Sequence, residues 1–222
     1  MTERYALFEI DKLRDRFQLP SGVPKGVKAS YNISPTQVAP IVLIKDGVRA
    51  MERMKWGFIP HRAKDANSVF RYKTFMARSE DAFDKTTWQH AIRFSRCLIP
   101  ANGFYEWQKT DDGKLAYFIR PKDQNVFALA GVYSSWRDPD GVEWGTFAVV
   151  TTMANKEMSV LSNRMPVILH PEDEATWLDP MIDDANTLYD LMRPYYSSQV
   201  LEIRPIGPDV DNKKIDGPQV IE

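Results

Sequence analysis

Strand-length apolar runs, broken at short intervals by turn residues, recur along the whole chain and constrain its fold more than any other feature. RYALF alternates as a short strand, and Ile10, Leu13 and Phe17 then fall at helical spacing in EIDKLRDRF. VAPIVLIK and VRAMERMKW flank Asp46-Gly47, a pair suited to the tight primed turn of a hairpin. LAYFIRPKDQNVFALAGVYSSW reads as a second hairpin turning at Lys122–Asn125, and RDPDG marks another turn before the buried strand TFAVVTT. RCLIP, MPVIL and VLEIRPI supply further strands. Helices are expected around Phe83–Phe94, in DANTLYDLM, and from His170-Pro171, where proline suits a first turn. The tail after VLEIRPI reads as exposed and turn-rich. No repeat, low-complexity segment or composition break divides the 222 residues. The expectation is one α+β domain over 1–222: a curved or barrel-like, mainly antiparallel sheet with flanking helices.

Several function classes drop out. No apolar run approaches the roughly 20 residues of a membrane span, and the charged N-terminus has no secretory core, so a cytoplasmic protein is expected. Cys97 is the only cysteine and the three histidines (His61, His90, His170) are scattered, which argues against a disulfide framework or a metal site. No cofactor is expected. Cys97 lies in an apolar strand and reads as a small buried hydrophobe. Trp56, Trp88, Trp107, Trp136 and Trp177 read as core.

A net charge of −1 conceals a strong asymmetry. Between Arg49 and Arg78 stand eight basic residues against two acidic ones, whereas acidic residues predominate from Glu157 to Glu222. A chain polarised in this way can offer phosphates a local positive face while staying soluble. The alternative is a solvated basic loop beside an acidic tail. The basic stretch contains PHRAKDANSVFRYKT, and uncommonly long loops of this kind are usually functional or disordered.

Separated strings then carry a resemblance over nearly the whole chain: RYALF, YNISPT, MKWGFIP, MARSE, RCLIPANGFYEW, FALAGVYSSW, TFAVVTT, NRMPVIL and VDNKKIDGPQVI. Together, in this order, they resemble the SOS-response-associated peptidase (SRAP) family, sensors of abasic sites in single-stranded DNA. The resemblance implies a single α+β domain with a barrel-like sheet and a positive DNA groove. It also implies a chemistry. Family chains begin Met-Cys-Gly-Arg, and the cysteine, once N-terminal, attacks the abasic aldehyde through its amine. The thiol then closes on the imine carbon to leave a thiazolidine crosslink. An asparagine before Ala-Arg, a glutamate in Gly-Phe-x-Glu-Trp and a histidine upstream of Arg-Met-Pro orient groups and move protons.

Three of those four chemical positions are altered here: Thr2 replaces the cysteine, Met76 the asparagine and Ser162 the histidine, while Glu106 is retained. Glu3 also stands where the family has glycine. The Thr2 amine, with an ordinary pKa of about 7.7–8, still permits an imine once Met1 is removed. Its hydroxyl is a far weaker nucleophile than a thiolate. Met76 makes no strong hydrogen bond, and Ser162 is no general base near neutral pH. General acid–base help is worth about 10²–10⁴-fold in rate, so a fast, durable crosslink is not expected.

By resemblance, Arg4, Arg78 and Arg164 match phosphate-contacting positions, and Asn32 and Thr151 match positions near the groove; Met76 belongs to the same DNA-facing set. The bland alternatives are structural ion pairs for the arginines and a buried acceptor role for Glu106. After Trp56-Gly57 the loop offers His61, Arg62, Lys64, Phe70, Arg71, Tyr72 and Lys73, suited to backbone tracking and base stacking. Phe70 and Tyr72 nonetheless read first as packing residues. The leading expectation is a monomeric binder of single-stranded or junction DNA at abasic or damaged sites, with the crosslinking and autopeptidase chemistry weakened or lost. No segment precedes Met1, so proteolysis of other proteins is not expected. The competing readings are a residual enzyme forming an imine through Thr2, and a protein-interaction scaffold; a groove filled by its own side chains would favour the scaffold.

Overall fold

The computed structural model describes residues 3–111, 113–195 and 200–222. Its strands form two sheets. The chain enters through β1 (Tyr5–Leu7), a 3-10 turn over Ile10–Lys12 and α1 (Leu13–Arg16), then β2 (Ser30–Ile33). The hairpin of β3 (Val38–Lys45) and β4 (Val48–Trp56) follows, with Lys45 paired to Val48. Asp46 and Gly47 both take positive φ (51° and 79°), as a type I′ turn demands. The long basic loop contains one short helix, α2 (Ser68–Tyr72), and leads into β5 (Met76–Arg78). Next come α3 (Ala91–Phe94), β6 (Arg96–Ala101), β7 (Gly103–Thr110), β8 (Gly113–Pro121), β9 (Phe127–Arg137) and β10 (Glu143–Met153). The chain finishes with β11 (Arg164–Pro166), β12 (Ile168–Leu169), α4 (Glu174–Leu178), α5 (Ala185–Leu191) and β13 (Leu201–Ile206).

One sheet runs β13-β8-β7-β1-β2, antiparallel throughout. In the other, β10, β4, β3, β6 and β9 pair in turn, and β9 pairs back to β10, closing a ring. The α+β class with a barrel-like, mainly antiparallel sheet is therefore what the structure has. Tyr5, Trp56 and Phe147 pack in series, with ring centroids 5.4 and 6.2 Å apart, in the main core, where Cys97 is also buried.

Three local expectations are overturned. Lys122–Asn125 is not a hairpin turn: β8 pairs with β7 and β13, β9 with β6, β10 and β12, so this link passes between sheets. The helix around Phe83–Phe94 shortens to α3, preceded by successive turns that seat Ala82, Phe83 and Trp88 against the core. Two adjacent β-branched residues, Thr86 and Thr87, interrupt that segment and suit a helix poorly. The C-terminal tail is not exposed throughout: Val210 and Val220 are buried against Tyr105, Phe118 and Ile206.

The string RCLIPANGFYEW has a physical explanation. It carries the chain from one sheet to the other at Asn102-Gly103, where a Cβ on Gly103 would overlap the ring of Phe118. Gly103→Ala is expected to lower stability by about 1–3 kcal/mol through overpacking, read as a reduced urea midpoint at unchanged slope.

Candidate functional site

The end of β10 assembles most of the candidate residues. Along one edge β10 pairs first with β4 and then with β5; along the other it pairs with β9 and then with β11. Thr151 thus lies between Arg78 of β5 and Pro166 of β11. It is buried, and its hydroxyl donates to the Ala77 carbonyl at 3.4 Å. Arg164 reaches back from β11, its Nη2 donating to the Thr151 carbonyl (2.9 Å) and Oγ1 (3.1 Å). Ser162 supports the same residue by accepting the Arg164 backbone N–H at 3.3 Å. Met76 lies across from Val149 and packs against the core. Arg78 projects into solvent.

Arg164 is also clamped from outside. Glu80, on the 3-10 turn Ser79–Asp81, accepts from both terminal nitrogens at 3.0 Å. Burial works against charge on Glu80, but hydrogen bonds, chiefly from Arg164, hold its carboxyl below the usual range. Sequence reasoning missed this residue, although MARSE carries it two positions after Arg78.

Arg4, Asn32 and Glu106 lie on the other sheet. Arg4 Nη1 donates to Asn32 Oδ1 at 3.0 Å and to the Val210 carbonyl, while Nη2 reaches the Asp211 carbonyl at 3.1 Å. Its guanidinium also lies 5.9 Å from the Trp107 ring centroid, and burial lowers its pKa despite nearby Asp211 and Glu3. Asn32 is buried and offers its amide to the carbonyls of Val210, Asn212 and Ile215 at 3.0–3.2 Å. Asp216 completes the latch, its carboxylate accepting from the backbone N–H of Tyr31 (2.5 Å) and Asn32 (3.0 Å). Glu106 is buried in β7, and the antiparallel register Tyr5↔Phe104, carried two residues outward, sets it across from Glu3. Thr2 lies outside the described residues.

β7 also meets the 3-10 turn Met158–Val160 through a 3.4 Å hydrogen bond from Gln108 to the Val160 carbonyl. Elsewhere, Phe70 and Tyr72 are not core residues: they are 60% and 68% exposed on the basic loop, although Phe70 meets Phe75 edge-on at 6.2 Å. A cleft of about 890 Å3 opens beneath that loop, lined by His61, Arg62, Lys64, Arg71, Tyr72 and His90 among others. Among the described residues no group of three or more His, Cys, Asp or Glu could hold a metal ion, and no helix is long and apolar enough to cross a membrane.

The barrel-like sheet is the one the sequence resemblance implied, and its central strand ends among Arg78, Thr151 and Arg164, while Arg4, Asn32 and Glu106 gather on the other sheet. The chain matches the family described as SOS response associated peptidase (SRAP) over residues 1–213, and it belongs to that family. Among its relatives, the abasic site processing protein YoqW of Bacillus subtilis is 35% identical over 226 residues, covering 100% of this chain and 99% of that protein. The abasic site processing protein HMCES of Gallus gallus is 27% identical over 237 residues, covering 93% and 70%. A crystal structure of a Bacteroides thetaiotaomicron protein superposes with a TM-score of 0.88 at 25% identity, covering 99% of this chain and 98% of that one.

Two outcomes follow. Asn32→Ala removes the donors to three tail carbonyls, and is expected to cost about 1–3 kcal/mol and to quicken tryptic cleavage after Lys213 and Lys214. Unchanged proteolysis would mean that the latch lies elsewhere. Glu80, with its lowered folded pKa, stabilises the fold above the ordinary carboxylate value of about 4.3. That contribution fades progressively as pH falls from the ordinary value through the lower folded one. The urea-midpoint difference between wild type and Glu80→Gln should therefore hold from pH 7 to pH 5 and shrink toward pH 3.

Proposed function

We propose that this chain is a monomeric, cytoplasmic DNA-binding protein that recognises single-stranded or junction DNA at abasic or damaged sites, with the covalent chemistry weakened or lost. Relatives named as abasic site processing proteins over the full chain length support DNA as the partner. The observation that carries the reading is the pairing of an exposed Arg78 with Thr151 and Arg164, beside positions where Met76 and Ser162 have replaced asparagine and histidine. The basic loop, which leads into β5, adds further cations. Arg71 lies 5.9 Å from the ring centroid of the exposed Tyr72, a combination suited to a nucleic-acid strand, where each stacked base contributes roughly 1–3 kcal/mol.

A protein-interaction scaffold is the second reading. It is favoured by Arg4, whose guanidinium the C-terminal tail already occupies. One titration separates the two. Fluorescence anisotropy with a short single strand should show binding that weakens with salt, and Arg78→Gln should flatten the log–log slope by about 0.7, one phosphate contact. No binding at low salt removes the DNA reading. Intact-mass spectrometry after incubation with abasic DNA should show no stable adduct; a heat-resistant adduct would show that covalent chemistry survives.

A further inference from the structure

Arg164 meets a carboxylate where, on the reading above, it would meet a phosphate. Its planar fork binds Glu80 through two parallel bonds of 3.0 Å, the geometry a guanidinium also uses on phosphate. Its other contacts leave little unused. Nη2 bonds Thr151 twice, Nη1 lies 3.7 Å from Met153 Sδ, and the remaining Nε is buried without a partner. A phosphate oxygen therefore finds the outer edge of this fork taken unless Glu80 leaves.

The two partners differ in their freedom to move. Arg164 has only 12% of its side chain exposed and is fixed to both oxygens of Thr151. Glu80 is 35% exposed and stands on a single three-residue 3-10 turn. Its neighbour Asp81 is held by Lys85 at 2.5 Å and makes no ion pair with Arg164, although it lies within reach of the charges of both Arg78 and Arg164. Arg78, across β10 at the register of Thr151, stays in solvent.

We propose that Glu80 is a specificity-determining residue: it stands in for a phosphate on Arg164 and is exchanged for a nucleic-acid phosphodiester when a strand binds. This rests on the DNA reading of the same face. An isolated anion that reaches only Arg164 replaces one charge-assisted pair with another and gains little. A strand that also places a phosphate on Arg78 gains the second contact outright. The exchange thus selects a run of phosphates over small anions.

The test is anisotropy with a short single-stranded oligonucleotide across a salt series, using wild type, Glu80→Gln, Glu80→Ala, Arg164→Gln and the double variant E80Q/R164Q. Removing the competing carboxylate should tighten binding about tenfold in E80Q and E80A. The log–log salt slope should be the same in wild type and both Glu80 variants, because Arg164 reaches the same phosphate in each, whereas Arg164→Gln should flatten it by about 0.7. The gain should vanish in the double variant relative to R164Q alone. Unchanged or weaker binding in both Glu80 variants overturns the exchange, as does a gain that survives the loss of Arg164. Wild type that binds without any gain in the variants sinks the exchange alone; failure of wild type and both variants to bind at low salt sinks the DNA reading with it.

Discussion

The buried amide of Asn102 fixes the relation between the two sheets. Its Oδ1 accepts from the backbone N–H of Phe8 (2.7 Å) and Glu9 (3.1 Å), and its Nδ2 donates to the Glu9 carboxylate (2.9 Å) and the Asn125 carbonyl (2.7 Å). One side chain therefore ties the exit from β1, the passage from β6 to β7 and the passage from β8 to β9. An amide has two donors and an acceptor oxygen able to take two bonds, and all of them are used here. An aspartate would lack the donors, and an apolar side chain would leave buried backbone groups unpaired at about 1–3 kcal/mol each.

The candidate site inherits its geometry from that knot. Fixing the exit from β1 holds the strand between β2 and β7, which brings Arg4 to Asn32 and aligns Glu3 with Glu106. Fixing the passage into β9 sets the long β9–β10 hairpin, whose strands part company beyond Val149 and Gly131, so that β10 continues without β9 or β4. Its free end recruits β5 on one edge and β11 on the other, bringing Arg78 and Arg164 to either side of Thr151. The arginines are far apart in sequence and adjacent only because β10 runs on past its last pairings with β4 and β9.

What was legible in the sequence was what local chemistry decides. Asp46-Gly47 announces its turn because both residues tolerate the positive φ that a tight hairpin turn needs, and TFAVVTT announces burial because all seven of its residues, Thr146 to Thr152, are buried. Partner choice is not local: LAYFIRP and VFALAGVYSSW look like hairpin arms, but each finds lower-energy neighbours in a different sheet. The tail looked solvent-bound because VDNKKIDGPQVI is polar; its docking depends on Val210, Val220 and a single aspartate whose acceptors meet the β2 backbone. Glu80 was invisible for a related reason. A carboxylate in a basic motif signals a pairing only once β11 has brought Arg164 to it.

The retained family positions do not all speak equally for DNA. Asn32 and Thr151 are buried and saturated by contacts that hold the tail and the strand ends together, so folding alone accounts for them. Arg4 is engaged by tail carbonyls and Arg164 by Glu80 and Thr151, so each also has a structural explanation. Met76 and Ser162 fit the same pattern: Met76 packs against the core and Ser162 accepts the Arg164 N–H, so each has a place in the fold. Arg78 is different. Its side chain is exposed on a strand of three residues, where an arginine adds no buried contact that the fold requires. A cation kept in solvent beside a latched guanidinium has an electrostatic use and no packing use, and the case for a polyanionic ligand rests most heavily on it.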